Sequence, residues 1–250
     1  MKRFIKITLI TSLVMVIFGI ACLAGAYSMG MTTTSLIYMF KMGKFSLGPE
    51  DTHMMYEKDK EYDFSGVTQS FHSIDLDFAA GTVEISYGDV RDIGIYRKGL
   101  GSISKMVSHG VLELKGSDPG SEGAYGEWRI VIPKDKKLKS VKLELGASKA
   151  KIVDLKAETV EIELGIGEAV FLNLDAQSIH AESGVGKMEL QLVGKEEDYN
   201  YQVECGIGSI VIGEKSYSGV GDSQLIVNEG SQRVVNLESG IGKIEVNFTE

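Results

Sequence analysis

Proline is scarce, with 3 in 250 residues against 30 glycines. Many glycines without a proline bias mark many tight turns and argue against disorder. There are two cysteines, Cys22 and Cys205, which excludes a disulfide framework. The absence of a CxxC pair excludes a zinc site of that type. The four histidines, His53, His72, His109 and His180, are scattered without metal-ligand spacing. Neither GxSxG nor HExxH occurs, and no catalytic residue and no cofactor is expected. Positive charge is also short: Lys and Arg number 26 against 35 Asp and Glu, for a net charge of −9. Lys2, Arg3 and Lys6 precede the first acid, Glu50, so the remainder is more acidic still. Nucleic-acid backbone binding needs a basic face and is excluded as a partner class. The acidity serves solubility.

One long apolar run is present. Residues 7–27, within "FIKITLITSLVMVIFGIACLAGAY", carry no charge, and a bilayer core takes about 20 helical residues. The positive cluster before the run predicts a cytoplasmic stub and signal-anchor helix over 1–30, a juxtamembrane linker over 31–60 and an extracytoplasmic domain over 61–250. The expected location is the cell membrane, crossed once. Two alternatives stay open: cleavage at "AGA" (residues 24–26), or lipidation at Cys22, although "GIAC" lacks the usual Leu three residues before the cysteine.

Beyond residue 60 no helical stripe with caps appears. Instead a segment repeats: "VKLELGASKAKI", "VEIELGIGEAVF", "IHAESGVGKMEL", "YQVECGIGSIVI" and "VNLESGIGKIEV". The first glycines are Gly146, Gly165, Gly184, Gly206 and Gly240, at spacings of 19, 19, 22 and 34 residues. A weaker version, "IDLDFAAGTVEI", begins at Ile74. Each alternates with period two, the mark of a half-buried strand. Val160, Ile162 and Leu164 share one face, Glu161 and Glu163 the other. After the glycines Val170, Leu172 and Leu174 are expected to resume the apolar face, as are Met188, Leu190 and Leu192 in the next repeat and Ile244, Val246 and Phe248 in the last.

The fold class expected is all-β: a parallel β-solenoid, or β-helix-like stack, of about 19–22-residue coils, preceded by one transmembrane helix. The repeat core covers 141–250 and an N-terminal portion 61–140. Lone Trp128 is expected to pack in the strand leading into the repeats. A GxG that cradles phosphate opens a helix; here every copy runs into a strand, so these glycines read as corners. Gly146, Gly165, Gly167, Gly184, Gly186, Gly206, Gly208, Gly240 and Gly242 are the structural turn glycines. The apolar residue between each pair (Ile166, Val185, Ile207, Ile241) is expected to point into the core.

Two residues before each first glycine stands an acid: Glu144, Glu163, Glu182, Glu204 and Glu238, with Asp77 in the weak copy. Stacking would make a carboxylate ladder, with like charges about 4.8 Å apart repelling by roughly 1 kcal/mol per pair in water. Hydrogen bonds from glycine corners would offset this, as would salt bridges shared with the mixed-charge site just after the GxG, namely Lys149, Glu168, Lys187, Ser209 and Lys243. A row of Ca²⁺ sites is the alternative. Cys205 takes an inward position before a glycine and is expected to be a small buried side chain. The 34-residue spacing holds a polar insertion, residues 213–233, where repeat proteins often bind. The last strand, "KIEVNF", has no capping helix after it, so it is expected to leave an open end able to stack on a partner.

The stretch "FHSIDLDFAAGTVEISYGD", then "WRIVIPKD", then "LELG", "ESGVG" and "ESGIG", resembles the bacterial putative-adhesin domains of unknown function over about residues 70–250. The resemblance implies a solenoid-like fold tethered by an N-terminal segment, with no catalytic residue to carry over. "GAS" in place of GxG at Gly146 is a departure. Two functions are consistent with this reading: a non-catalytic surface binding or adhesin-like module with a protein or surface-polymer ligand, or a structural or regulatory envelope protein acting by assembly or with a membrane partner.

Overall fold

Every segment with period-two alternation is a strand. The computed structural model describes residues 63–67, 69–98, 102–117, 126–218 and 222–249. The anchor and linker expected before residue 61 lie outside the described residues. Among those described, no helix is long and apolar enough to cross a membrane, and the only helical element is one 3-10 turn, Glu196–Asp198. The chain is all-β.

Among the described residues, twelve strands form one hydrogen-bonded system. They are β1 (Asp63–Val67), β2 (Ser73–Gly88), β3 (Ile93–Lys98), β4 (Ser102–Ser108), β5 (Val111–Ser117), β6 (Glu127–Pro133), β7 (Leu138–Val153), β8 (Lys156–Val193), β9 (Tyr199–Ile212), β10 (Lys215–Ser218), β11 (Asp222–Ile226) and β12 (Arg233–Thr249). The repeats occupy β2, β7, β8, β9 and β12, and β8 holds two of them. Neighbouring repeats pair in parallel and in register: Asp77 opposite Glu144, Glu144 opposite Glu163, and Glu238 opposite both Glu182 and Glu204.

The order in the sheet departs from the order in the chain. β12 lies between β8 and β9. The expected open end at "KIEVNF" is therefore corrected: that strand is interior, with Ile244 opposite Met188 on one side and Ile210 on the other. The insertion explains how. β10 and β11 both run antiparallel to β9 and cover its two halves, Ser216 opposite Val211 and Gln224 opposite Val203. At the other end, β2 is flanked by β5 along its first half and by β6 along its second. Antiparallel β4 and β3 then follow. Both ends of the parallel ladder are thus closed by antiparallel strands, which blunts edge pairing.

Inward positions form one continuous core. Val160, Ile162 and Leu164 are buried, as are Met188, Leu190 and Leu192, each such side chain contributing about 1.5–3 kcal/mol on burial. Trp128 is buried on β6, 5.6 Å from Phe78 between ring centroids. Cys205 is buried, as expected. One phase needs correction. After the Gly165 corner the buried residues are Ala169, Phe171 and Leu174, while Val170 and Leu172 are only half-buried. Asn173, in the left-handed region at φ 57°, breaks the alternation and restores Leu174 to the core. Its side-chain amide donates to Asp154, which takes the same backbone conformation (φ 59°).

Candidate functional site

The two glycines of each corner serve different needs. The first has ordinary backbone angles but sits against the carbonyl of the neighbouring repeat. A Cβ at Gly184 would stand 2.6 Å from the Gly165 oxygen, one at Gly240 2.6 Å from Gly184, and one at Gly206 2.7 Å from Gly240. The same holds at Gly165 against Gly146, and at Gly146 against Ala79. The second glycine adds left-handed geometry, with φ of 141° at Gly186 and 146° at Gly242, besides backbone collision. Gly167 shares that angle, whereas Gly208 is required by collision with Gly242 alone. Ser148 replaces the second glycine in the first strong repeat, and its hydroxyl is buried without a partner.

Residues between the glycines do not enter the core, contrary to expectation. Ile166, Val185, Ile207 and Ile241 are 48%, 43%, 49% and 43% exposed. With both flanking glycines held against the next repeat's backbone, the middle residue is the tip of the corner and turns outward. Register aligns Val185, Ile241 and Ile207 into an aliphatic ridge that runs across the repeats.

The acidic row lies beside this ridge. In the first half it is salt-bridged: Lys142 reaches Glu144 at 2.7 Å, Glu163 at 3.3 Å and Glu161 at 3.4 Å. The hydrogen bond that Lys142 donates to Glu144 leads in raising the Lys142 pKa. Asp75, opposite Lys142 and two residues before Asp77, is pushed up by burial and then by Glu144. The second half is different. At the positions corresponding to Lys142, register places His180, Asn236 and Gln202. Gln202 donates to Glu204 at 3.2 Å, and among the described residues no ion pair reaches Glu182, Glu238 or Glu204. These carboxylates border a groove of about 340 Å³ that also touches Gly184, Gly240, Gly206 and Ser223 of β11.

Beyond the corner the charges are paired. Lys187 contacts Glu189 and, at 3.0 Å, Glu245, which also contacts Lys243. Lys243 leads in lowering the Glu245 pKa. Lys149 pairs with Glu168 at 3.6 Å. So the predicted Lys row does form salt bridges, but with acids beyond the corner and not with the Glu ladder. Nor do the ladder residues form a cage. Among the described residues no group of three or more His, Cys, Asp or Glu could hold a metal ion, and a single-file row supplies too few converging oxygens for Ca²⁺.

Sequence reasoning missed Arg233, which fastens the interior strand. Its guanidinium donates to Asp175 at 2.7 Å, to the Ala176 carbonyl at 2.9 Å and to the Val193 carbonyl at 2.9 Å, and lies 4.3 Å from the Tyr199 ring centroid. The one signal was an arginine two residues before the repeat that follows the longest spacing.

No family model matches the chain, and no curated protein does. The chain is similar to solved structures. The crystal structure of a putative cell adhesion protein from Clostridium sporogenes covers 76% of this chain and 100% of its own, at 18% identity and a TM-score of 0.53. A putative adhesin from Bacteroides fragilis covers 75% of this chain and 97% of its own, at 16% identity and a TM-score of 0.35.

Proposed function

We propose that this protein is a membrane-anchored, extracytoplasmic β-solenoid that acts as a non-catalytic surface binding module. The observation that carries the reading is the unneutralised row Glu182, Glu238 and Glu204, bordering a groove beside an exposed aliphatic ridge. A repeating surface of this kind suits a repeating ligand, because each repeat offers the same carboxylate and the same aliphatic contact about 4.8 Å further on. The uncharged run over residues 7–27, behind Lys2, Arg3 and Lys6, supports the anchor and its orientation. The fold shared with a putative cell adhesion protein of Clostridium sporogenes is consistent with work at a surface.

The test is adhesion of cells displaying the full chain to immobilised surface polymers and matrix proteins. Display of the chain should raise retention on at least one of these over empty cells, and Glu182→Gln, Glu238→Gln and Glu204→Gln together should remove the gain. Retention equal to that of empty cells on every surface would sink the reading.

A further inference from the structure

β12 is the last repeat in the chain but not in the sheet. It separates residues 178–193 of β8 from β9, two repeats joined in sequence only by the turn through Gly194 and Glu196–Asp198. It pairs in parallel with both, Leu237 lying opposite Ala181 and Val203, and Asn236 opposite His180 and Gln202. The three segments read "ESGVGK", "ESGIGK" and "ECGIGS". The slot is thus specified by the repeat pattern: inward aliphatics, corner glycines stacked on corner carbonyls, and an outward acid. What ties a particular β12 to its slot is the connector, residues 227–232, which is exposed apart from half-buried Asn228 and Ser231. It is held by side-chain bonds. Asn228 donates to the carbonyls of Tyr199 at 2.6 Å and Glu196 at 3.3 Å, Asn200 donates to the Ser231 carbonyl at 3.1 Å, and Arg233 closes the entrance.

We propose that β12 is an exchangeable strand, and that the slot between β8 and β9 accepts β12 from a second copy of this chain, joining two molecules by reciprocal strand exchange. Every ladder and core contact of the slot is the same whether the strand comes from its own chain or another. The balance therefore rests on the connector and on concentration, the condition under which swapping is cheap. The connector bonds favour the closed monomer, whereas the Arg233 contacts re-form in the exchanged state and set how fast β12 leaves the slot.

The test uses full-length chains with Cys22→Ser and Cys205→Ser, each carrying one new cysteine. Registered parallel neighbours stand about 4.8 Å apart, within disulfide reach. His180→Cys and Asn236→Cys chains, unfolded together, refolded and oxidised, form a covalent dimer only where β12 of one lies beside β8 of the other. Gln202→Cys with Asn236→Cys reports the other flank, and His180→Cys with Asn247→Cys is a mismatched control on opposite sides of the corner. Both matched pairs should yield at least about ten times more covalent dimer than the mismatched pair, and Arg233→Ala should speed exchange between folded chains about tenfold. Matched yields no higher than the mismatched yield overturn the proposal. It is equally overturned if a chain carrying both His180→Cys and Asn236→Cys closes on itself while the mixed single variants give no dimer.

Discussion

Arg233 and Asp175 stand 58 positions apart in the chain and meet at 2.7 Å. The pair joins the first residue of β12 to the segment between the two repeats of β8, at the point where the C-terminal strand enters the sheet. The Arg233 and Asp175 side chains are only 18% and 29% exposed, so this is not a screened surface bridge. Replacing Arg233 with Ala removes three hydrogen bonds and the contact with the Tyr199 ring. Asp175 is left with Lys156 at 2.9 Å. The expected loss is about 2–3 kcal/mol, seen as a lower urea midpoint. Arg233→Lys should recover less than half, because an ammonium cannot serve Asp175 and two carbonyls in one plane.

The corner glycines give a graded prediction. Gly186→Ala meets both a left-handed φ of 141° and the backbone of Gly167, and should cost about 3 kcal/mol or more. Gly230→Ala meets a φ of 90° with nothing within 4 Å of the new methyl. It should cost only about 1 kcal/mol, from backbone strain alone. Paired thermal melts check the order. Equal losses would remove interrepeat collision as the reason for the corner glycines.

Ser183 and Ser239 sit in register at an inward position where Leu145 and Leu164 stand in earlier repeats, and their hydroxyls are buried without a partner. Removing an unsatisfied buried hydroxyl is neutral or favourable. Ser239→Ala should therefore leave stability unchanged or raise it by up to about 1 kcal/mol. Cys205→Ser, which extends the same row, puts a new hydroxyl at a buried position and should cost about 1 kcal/mol. A loss above about 1 kcal/mol for Ser239→Ala would mean the hydroxyl has a hydrogen-bond partner.

Acid stability has two opposing contributions. Glu245 has a folded pKa below its ordinary 4.5, through its hydrogen bond to Lys243 and then Lys187. Its stabilisation is full above 4.5 and is lost as pH falls through the lower folded value. Asp75 has a folded pKa above its ordinary 3.8, chiefly through burial. The charged form is penalised, so that cost is present at neutral pH and disappears as pH falls. Asp75→Asn should raise stability at pH 7 and bring no gain near pH 3. Glu245→Gln should lower it at pH 7 and flatten the acid limb. Urea midpoints at the two pH values check both signs.

Much of this was legible in the sequence. Period-two alternation and recurring GxG placed the repeats, and the constant two-residue offset placed Asp77, Glu144, Glu163, Glu182, Glu238 and Glu204 in one row. The order of the row was not legible. "ESGVG", "ECGIG" and "ESGIG" present the same inward and outward chemistry, so nothing local distinguishes β8 from β12 as the neighbour of β9. The distinction resides in Arg233, Asn228 and the antiparallel cover of β10 and β11, which only long-range pairing reveals. The phase slip after Gly165 was hidden for a related reason: a left-handed Asn173 leaves the apolar composition unchanged while shifting which residues face inward.

The corner residues offer the sharpest contrast between pattern and structure. A tip residue packed in the core would lose about 2–5 kcal/mol on truncation to a small side chain. Ile241 is 43% exposed and rests on a ridge with Val185 and Ile207, so Ile241→Thr should cost no more than about 0.5–1 kcal/mol. β-branched Thr keeps the strand preference of Ile, which isolates the change in burial. Leu237→Ala, four residues earlier in the same strand and fully buried, is the internal comparison and should cost about 2–5 kcal/mol. Urea unfolding of both variants decides it. Comparable losses would place Ile241 inside the core, and with it the ridge that gives the outer surface its aliphatic row.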